Sequence, residues 1–221
     1  MALFELITFD CYGTLIDWEL GMKDSLQGLL DRKTLSLNVD GLLKRYGEIE
    51  LEVERESYRK YGEVLSISVK RAFEERQIAL RPNEERIFVD TLPLWPPFAE
   101  TTEVLRKLKE KGYKLGILSN IDDDLIKSSI ELMGVEFDGV ITAEQVKSYK
   151  PSHAHWERMS ELFKVPKDKV LHVGASYVHD IAPAKELGFT TVWINRKGQQ
   201  PKGPANPDYE FKTLNPLTEI L

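Results

Sequence analysis

The sequence predicts an α/β fold in which a parallel sheet carries helices on both faces. Two observations predict it. After residue 96, short apolar runs alternate with amphipathic stretches of helical length. Before that point, a stretch with only helical periodicity follows the first apolar run directly. Strands that alternate with helices at this spacing pair in parallel, because each helix returns the chain to the starting edge of the sheet.

Five apolar runs are the predicted strands. Each is short, contains β-branched or aromatic residues, and ends at Gly, Asp, Ser or Asn. In chain order they are residues 3–9 (LFELITF), 114–119 (KLGILS), 139–142 (GVIT), 170–174 (VLHVG) and 190–195 (TTVWIN).

Four amphipathic stretches are the predicted helices of the same region. Three of the four end at a glycine, which is favoured just after the last helical turn. They span residues 99–112, 122–134, 152–164 and 178–188. The tail beyond these helices is rich in Pro, Gly and Asn and predicts a loop, followed by a short strand and a last helix.

The helical stretch after the first strand predicts an inserted cap. Residues 17–94 show no strand pattern, and the two prolines of the LWPPF segment at 94–98 mark the return to the sheet. The predicted organisation is therefore a core formed by residues 1–15 and 96–221, with a helical cap at 16–95.

Composition limits the classes of partner and compartment. The chain has 221 residues, a net charge of −6 and no apolar run of the roughly 20 residues that a membrane helix needs. An acidic chain has no general affinity for nucleic acid or anionic membranes. Residues 1–10 do not resemble a signal peptide, and the single cysteine, Cys11, suits a reducing compartment. We therefore expect a cytoplasmic protein with no nucleic-acid or membrane partner.

Polar residues follow four of the predicted strands. In an open parallel sheet, ligands bind beyond the carboxyl ends of the strands, so these residues are expected to form one site. Each of them alone fits a turn or a helix cap, but their order after successive strands favours a common site. They are Asp10, Tyr12, Thr14, Ser119, Asn120, Lys150, Ser176 and Asp180.

This set suggests a division of roles. Asp10 can act as a covalent nucleophile, and Lys150 beside it would keep it ionised. Ser119 and Asn120 can hold an anionic group by hydrogen bonds. Asp180 can either fix the lysine or activate water for a second step.

Four motifs in this arrangement resemble those of the haloacid dehalogenase superfamily. They are DCYGT at residues 10–14, LSN at 118–120, YKP at 149–151 and GASYVHD at 174–180. The resemblance implies a Rossmann-like parallel-sheet core with an inserted helical cap. It also implies that Asp10 is the nucleophile and that Lys150 is its charge partner.

Tyr12 distinguishes two branches of that superfamily. Most members are magnesium-dependent phosphatases, with a second aspartate where this chain has Tyr12 and a further acid where it has Ala175. The 2-haloacid dehalogenase branch has D-x-Y-G-T, which DCYGT matches. The resemblance implies that Asp10 displaces halide from a small 2-halocarboxylic acid and that water hydrolyses the resulting ester. No metal or other cofactor is then required, and Thr14, Lys150 and Asp180 complete the catalytic set.

The resemblance also indicates substrate-binding positions. Arg45 corresponds to a cap arginine near the substrate carboxylate, and Trp156 to an aromatic residue after the lysine motif. Ala175, Ser176 and Tyr177 occupy the positions that typically read S-S-N in this branch, and His179 stands where the branch commonly has Trp. The predicted substrate-binding residues are Tyr12, Arg45, Ser119, Asn120, Trp156, Ser176 and Tyr177. A homodimer is expected from the resemblance alone.

Two other hypotheses stay open at this point. A magnesium-dependent phosphatase acting on a small phosphate ester would use Asp10 and Asp180 as its remaining metal ligands. A non-catalytic binding module could also keep the fold, although the presence of both Asp10 and Lys150 argues against it.

Overall fold

The computed structural model describes residues 3–221 and contains a six-stranded parallel sheet. The strand order is β3-β2-β1-β4-β5-β6, and every neighbouring pair is parallel. The strands are β1 (Leu6–Phe9), β2 (Lys114–Ser119), β3 (Gly139–Thr142), β4 (Val170–Gly174), β5 (Thr190–Ile194) and β6 (Tyr209–Phe211). The predicted α/β class is confirmed, and β6 is the short strand expected in the tail.

Strand β1 lies inside the sheet and is buried along its whole length. Its last residue, Phe9, is in register with Ile117 of β2 on one side and Val173 of β4 on the other. The strand order therefore reverses direction at β1. In open α/β sheets the ligand crevice lies at such a reversal, beyond the carboxyl ends of the strands.

Four helices occupy the segment predicted as a cap. They are α1 (Trp18–Arg32), α2 (Val39–Glu56), α3 (Tyr61–Glu74) and α4 (Ile87–Thr91). Side-chain caps fix the starts of the first two, since Asp17 accepts from the N–H of Leu20 and Asn38 from that of Gly41. In the described part of the chain, no strand lies between residues 17 and 94. The exact domain limits at 16 and 95 stay a prediction.

The remaining helices cover the sheet. They are α5 (Thr101–Glu110), α6 (Leu125–Met133), α7 (Ala143–Val146), α8 (Ala154–Phe163), α9 (Ala182–Glu186) and α10 (Leu217–Ile220). Alternate residues of β1 contribute to two different apolar clusters, with Ile7 and Phe9 in one and Leu6 in the other. This period of two places one cluster on each face of the sheet. The larger cluster continues into the cap helices, so the cap and the sheet share one apolar core.

A carboxylate of the core also holds the start of α3. Both oxygens of Asp122 accept 2.8 Å hydrogen bonds, Oδ1 from the N–H of Tyr61 and Oδ2 from that of Gly62. The first N–H groups of a helix have no partner within the helix, so this carboxylate satisfies two of them. As a result the cap is fixed above the carboxyl end of β2. Among residues 3–221, no helix is both long enough and apolar enough to cross a bilayer.

Candidate active site

A cavity of about 250 Å³ lies beyond the carboxyl end of β1, between the sheet and the cap. Loops after the strands form its floor and cap helices form its upper wall. Residues of the strand loops that line it are Asp10, Tyr12, Ser119, Asn120, Lys150, Ser176, His179 and Asp180. Residues from the cap side are Trp18, Met22, Glu50, Glu54, Tyr61 and Trp95. Seven of the eleven site residues that the sequence predicts, Asp10 among them, therefore line one cavity.

Asp10 is held by three hydrogen bonds at the base of this cavity. Its N–H donates to the carbonyl of Val173 at 2.9 Å, which extends the pairing of β1 with β4. Its Oδ1 lies 2.9 Å from Nζ of Lys150, and its Oδ2 accepts from the hydroxyl of Thr14 at 2.8 Å. Burial and the nearby charge of Asp180 raise the pKa of Asp10 to about 6. The carboxylate is thus ionised and oriented at neutral pH.

Thr14 connects the loop after β1 to the loop after β4. Its hydroxyl donates to Asp10 and accepts a 2.8 Å hydrogen bond from the N–H of Ala175. The chain reaches this position through a turn in which Gly13 has a φ of +97°, a conformation that favours glycine. Thr14 does not line the cavity, but its hydrogen bond helps to hold the Asp10 carboxylate in place.

Lys150 uses all three of its N–H donors. Nζ lies 2.9 Å from Asp10, 2.6 Å from Oδ1 of Asp180 and 2.7 Å from the carbonyl of Leu118. Burial disfavours the charged ammonium, but the charges of Asp10 and Asp180 outweigh it and raise the pKa of Lys150. The lysine is therefore a buried cation at neutral pH, and its position is fixed from three directions.

Asn120 holds the backbone of Lys150. Its side-chain oxygen accepts from the N–H of Lys150 at 2.7 Å, and its amide nitrogen donates to the carbonyl of the same residue at 3.1 Å. The carbonyl of the preceding residue, Ser119, contacts Nε2 of His155 at 3.2 Å. Asn120 thus positions the lysine, in addition to lining the cavity.

Asp180 is completely buried beneath the lysine. Its Oδ1 pairs with Lys150, and its Oδ2 accepts from the N–H of Ser176 at 3.1 Å. Asp180 can lie this close to the end of β4 only because residue 174 is a glycine. A Cβ at Gly174 would lie 2.4 Å from Cβ of Asp180. Burial alone would raise the pKa of Asp180. The charge of Lys150 outweighs the effect of burial, so the pKa of Asp180 lies well below its usual range. The carboxylate stays ionised, and both its oxygens already accept hydrogen bonds.

The hydroxyl of Tyr12 is bound to a neighbouring helix. It lies 3.0 Å from Oγ of Ser129 on α6, and the ring packs edge-on against Trp95 with centroids 6.1 Å apart. Burial raises the pKa of this phenol well above its usual value. Tyr12 thus contributes an aromatic wall to the cavity and keeps its proton.

Two carboxyl groups from α2, Glu50 and Glu54, line the same cavity as Asp10, and neither is among the site residues predicted from the sequence. The side-chain oxygen of Glu50 accepts hydrogen bonds from the hydroxyls of Tyr46 and Tyr61 at 2.9 and 2.8 Å. Glu54 also lines the cavity, and burial together with the charge of Glu50 raises its pKa to about 8. The spacing of four between Tyr46, Glu50 and Glu54 places them on one edge of α2 and is the signal that could have identified them.

Three predicted substrate-binding residues lie outside this cavity, and the structure corrects their placement. Arg45 is on the outer surface of the cap, where its Nη2 and Nε bind both oxygens of Glu75 at 2.7 and 2.9 Å. Trp156 is a buried core residue of α8 and packs edge-on against His172 at 5.4 Å. Tyr177 packs against Trp193, and its hydroxyl donates to the carbonyl of Ala205 at 2.7 Å.

The site does not fit a magnesium ion. The position of the phosphatases' second aspartate holds Tyr12, and Ala175 replaces a further acid. The facing oxygens of Asp10 and Asp180 are both bound to the same lysine ammonium. Within residues 3–221, no group of three or more His, Cys, Asp or Glu side chains is arranged to hold a metal ion.

Comparison with known proteins agrees with this geometry. The profile of the haloacid dehalogenase-like hydrolases matches residues 4–188. Haloacetate dehalogenase H-2 from Moraxella sp. (strain B) is 28% identical over 230 residues, which cover 100% of this chain and 99% of that protein. (S)-2-haloacid dehalogenase H-109 from Pseudomonas putida is 26% identical over 238 residues, with 100% and 99% coverage.

A solved structure shows the same fold over nearly the whole chain. The L-2-haloacid dehalogenase from Xanthobacter autotrophicus, with chloropropionic acid covalently bound, superposes with a TM-score of 0.85. Its sequence is 17% identical, and the alignment covers 98% of each chain. The match of the family profile to most of the chain, together with the four motifs around one cavity, shows that this chain belongs to the haloacid dehalogenase-like hydrolase family.

Proposed function

We propose that the chain is a metal-independent dehalogenase that hydrolyses small 2-halocarboxylic acids through an ester of Asp10. The observation that carries this proposal is the buried carboxylate of Asp10, which Lys150 and Thr14 hold in the cavity between the sheet and the cap. Its relatives named haloacetate and 2-haloacid dehalogenases support the substrate class. The cavity of about 250 Å³ suits a substrate of a few carbon atoms.

In the first step, an oxygen of Asp10 attacks the carbon that bears the halogen. The new carbon–oxygen bond forms as the carbon–halogen bond breaks, and halide leaves with the bonding electron pair. Halide needs no proton, which fits the placement of Tyr12 rather than an acid beside the nucleophile. The geometry contributes chiefly by orienting the carboxylate, since Lys150 holds one of its oxygens and Thr14 the other.

In the second step, water attacks Cγ of the Asp10 ester. This cleaves the acyl–oxygen bond, releases the 2-hydroxy acid and regenerates the carboxylate with one oxygen from water. Lys150 remains beside Oδ1 and stabilises the negative charge that develops on the carbonyl oxygen. The route of attack through Cγ is what distinguishes this mechanism from direct displacement of halide by water.

A phosphatase is not favoured by the same site. Transfer of a phosphoryl group to Asp10 needs a cation for the phosphoryl oxygens and an acid for the alkoxide leaving group. Lys150 already pairs with two carboxylates, and Tyr12 is bound to Ser129.

Isotope labelling tests the proposal. Excess protein is incubated with 2-chloropropionate in H₂¹⁸O for a few turnovers, with and without EDTA. The mass of the peptide that contains Asp10 is then measured by mass spectrometry. We expect halide release despite EDTA and ¹⁸O in Asp10. Asp10→Asn, checked by mass for the absence of deamidation, is the control and should release no halide. EDTA-sensitive release from a generic phosphate ester, with neither halide nor label, would contradict the proposal.

Two further parts of the proposal rest on sequence alone. The proposed cytoplasmic location rests on the single cysteine, Cys11, which suits a reducing compartment. A homodimer follows from resemblance to the dehalogenase branch.

A further inference from the structure

Arg196 lies in the loop after β5 and binds the turn that carries Thr14. Its Nη2 donates to the carbonyl of Thr14 at 2.9 Å, and its Nε donates to the carbonyl of Gly13 at 3.3 Å. Among residues 3–221, no other group donates a hydrogen bond to these two carbonyls. Thr14 is completely buried, so without Arg196 its carbonyl would be a buried polar group that has lost its partner.

Two further contacts fix the guanidinium group of Arg196. Its Nη1 donates to Oε1 of Glu100 at 2.8 Å, and its Cζ lies 3.5 Å from the ring centroid of Phe98. The side chains of Arg196 and Glu100 are 18% and 14% exposed, so this ion pair is largely shielded from solvent. All three guanidinium nitrogens are therefore bound, and one face of the group is stacked. A lysine has a single nitrogen and no planar face, so it cannot reproduce this arrangement.

The same contacts join both connections between the cap and the sheet. The carbonyls that Arg196 binds precede the cap in the chain, whereas Phe98 and Glu100 follow it. The two connections also pair with each other, since the N–H of Phe98 donates to the carbonyl of Leu15 at 3.0 Å. Arg196 therefore holds the turn after β1 against the returning segment and against the end of β5.

This turn determines the position of a hydroxyl that binds the proposed nucleophile. The hydroxyl of Thr14 donates to Oδ2 of Asp10 at 2.8 Å and accepts from the N–H of Ala175 at 2.8 Å. A shift of the turn would move this hydroxyl relative to the carboxylate. Arg196 does not line the cavity that contains Asp10, so its influence on the reaction must pass through the turn.

We propose that Arg196 is a positioning residue for the first half-reaction: it fixes the turn at Gly13 and Thr14 and thereby the hydroxyl that orients Asp10. The inference rests on the proposed dehalogenase function and deepens it. It adds the loop after β5 to the strand loops that build the site, whereas none of the site residues predicted from the sequence lies after that strand.

Halide release in a single turnover tests the proposal. Arg196→Met and Arg196→Lys, in excess over 2-chloropropionate, are compared with the unsubstituted protein across pH, and KM is measured separately. We expect the rate in Arg196→Met to fall about 100-fold, because misplacement of a reacting group by about 1 Å costs this much. KM should stay close to its original value. The pH inflection should move upward, because the hydrogen bond from Thr14 lowers the pKa of Asp10. Arg196→Lys should recover only part of the rate.

A double-variant cycle separates positioning from a general loss of stability. Thr14→Val lacks the hydroxyl, so adding Arg196→Met to it should reduce the rate far less than Arg196→Met does alone. Lys185→Met is the matched control, since Lys185 pairs with Asp208, which binds Thr191 at the opposite end of β5. This control should retain the original rate and pH inflection. Urea unfolding checks that each variant is folded.

Three outcomes would overturn the assignment. One is a folded Arg196→Met variant with the rate and pH inflection of the unsubstituted protein. Another is a raised KM with an unchanged rate, which would indicate that Arg196 binds substrate. The third is an equal loss of rate with and without the hydroxyl of Thr14, which would exclude the route through the turn. If Arg196→Met does not fold, Arg196→Lys is used for the same three comparisons.

Failure of the proposed function can be told apart from failure of this inference. Absence of halide release from the unsubstituted protein would contradict the dehalogenase function itself. The pKa of Asp10, measured by NMR of ¹³C-labelled aspartate, would then still report on the turn. We expect this pKa to be higher in the Arg196 variants than in Lys185→Met, and an unchanged pKa would overturn the positioning role.

Discussion

The ammonium group of Lys150 lies 2.6 Å from Oδ1 of Asp180, and each side chain is only 1% exposed. The same ammonium contacts Asp10, the proposed nucleophile, at 2.9 Å. Lys150 therefore joins this carboxylate to the fully buried carboxylate of Asp180. Removal of either carboxylate should have different consequences, because the two differ in burial and in pKa.

Asp180→Asn should destabilise the fold strongly. Loss of one partner from a buried ion pair typically costs about 3–5 kcal/mol, because the remaining charge stays desolvated. The folded-state pKa of Asp180 is lowered, so its contribution is present above the unfolded pKa and is lost as pH falls through the folded value. Urea unfolding at pH 7 measures the loss. The control Glu103→Gln, in an exposed pair with Lys107, should cause no measurable change.

Asp10→Asn should have the opposite effect on stability while it abolishes turnover. The pKa of Asp10 is raised to about 6, so the folded state binds this proton more tightly than the unfolded state does. The ionised carboxylate therefore lowers stability above pH 6, and a neutral amide removes that cost. We expect a gain of about 1–2 kcal/mol at pH 8 and a smaller gain at pH 5. Lower stability of Asp10→Asn at both pH values would contradict the assigned shift.

The pH profile of the first step should follow the same group. Only ionised Asp10 attacks, so the rate of the halide burst should fall about tenfold per pH unit below about 6. The hydrogen bond from Thr14 lowers the pKa of Asp10, so Thr14→Val should move this inflection to higher pH, while Thr14→Ser should restore it. Stopped-flow halide measurements between about pH 4.5 and about pH 8 test both predictions, because this range includes the raised pKa of Asp10. An inflection that Thr14→Val leaves unchanged would show that another group titrates.

Gly174→Ala should inactivate the site through Asp180. A Cβ at this position would lie 2.4 Å from Cβ and 2.6 Å from Cγ of Asp180, so the carboxylate must move away from Lys150. We expect a loss of more than about 100-fold in kcat/KM, since displacement of such a group by about 1 Å is costly. Gly47→Ala on α2 is the matched control, because a Cβ there meets no atom within 4 Å. Similar activity in the two variants would show that Asp180 tolerates the shift.

The floor of the site could be predicted from sequence because short-range signals fix it. The runs at 114–119, 139–142 and 170–174 coincide with β2, β3 and β4, since each apolar run is bounded by turn-forming residues. Parallel pairing then brings the loop residues Asp10 and Lys150 together, although 140 positions separate them in the chain. Trp156 lies outside the cavity because α8 turns it into the core beneath the sheet, where it contacts His172.

The upper wall could not be predicted in the same way, because it depends on the rotation of one helix. Successive residues of an α-helix are about 100° apart, so Arg45 and its neighbour Tyr46 lie on different faces of α2. Tyr46 is buried and shares an edge with Glu50 and Glu54, whereas Arg45 pairs with Glu75 on the outside. The resemblance points to α2, but the residues of that helix that line the cavity are Glu50 and Glu54 rather than Arg45.

The composition of that wall leads to a prediction about substrate affinity. Glu54 has a pKa raised to about 8, so it is mainly uncharged at pH 7 and becomes an anion in more alkaline solution. An ionised Glu54 would repel a 2-halocarboxylate by about 1–2 kcal/mol in a partly solvated cavity, which corresponds to a rise of about tenfold in KM. We therefore expect KM for 2-chloropropionate to rise between about pH 7 and pH 9 as Glu54 loses its proton. In Glu54→Gln, KM should stay constant over the same range. Glu52→Gln, on the exposed side of α2, should retain the original profile, and a KM that rises equally in all three proteins would exclude Glu54 as the cause.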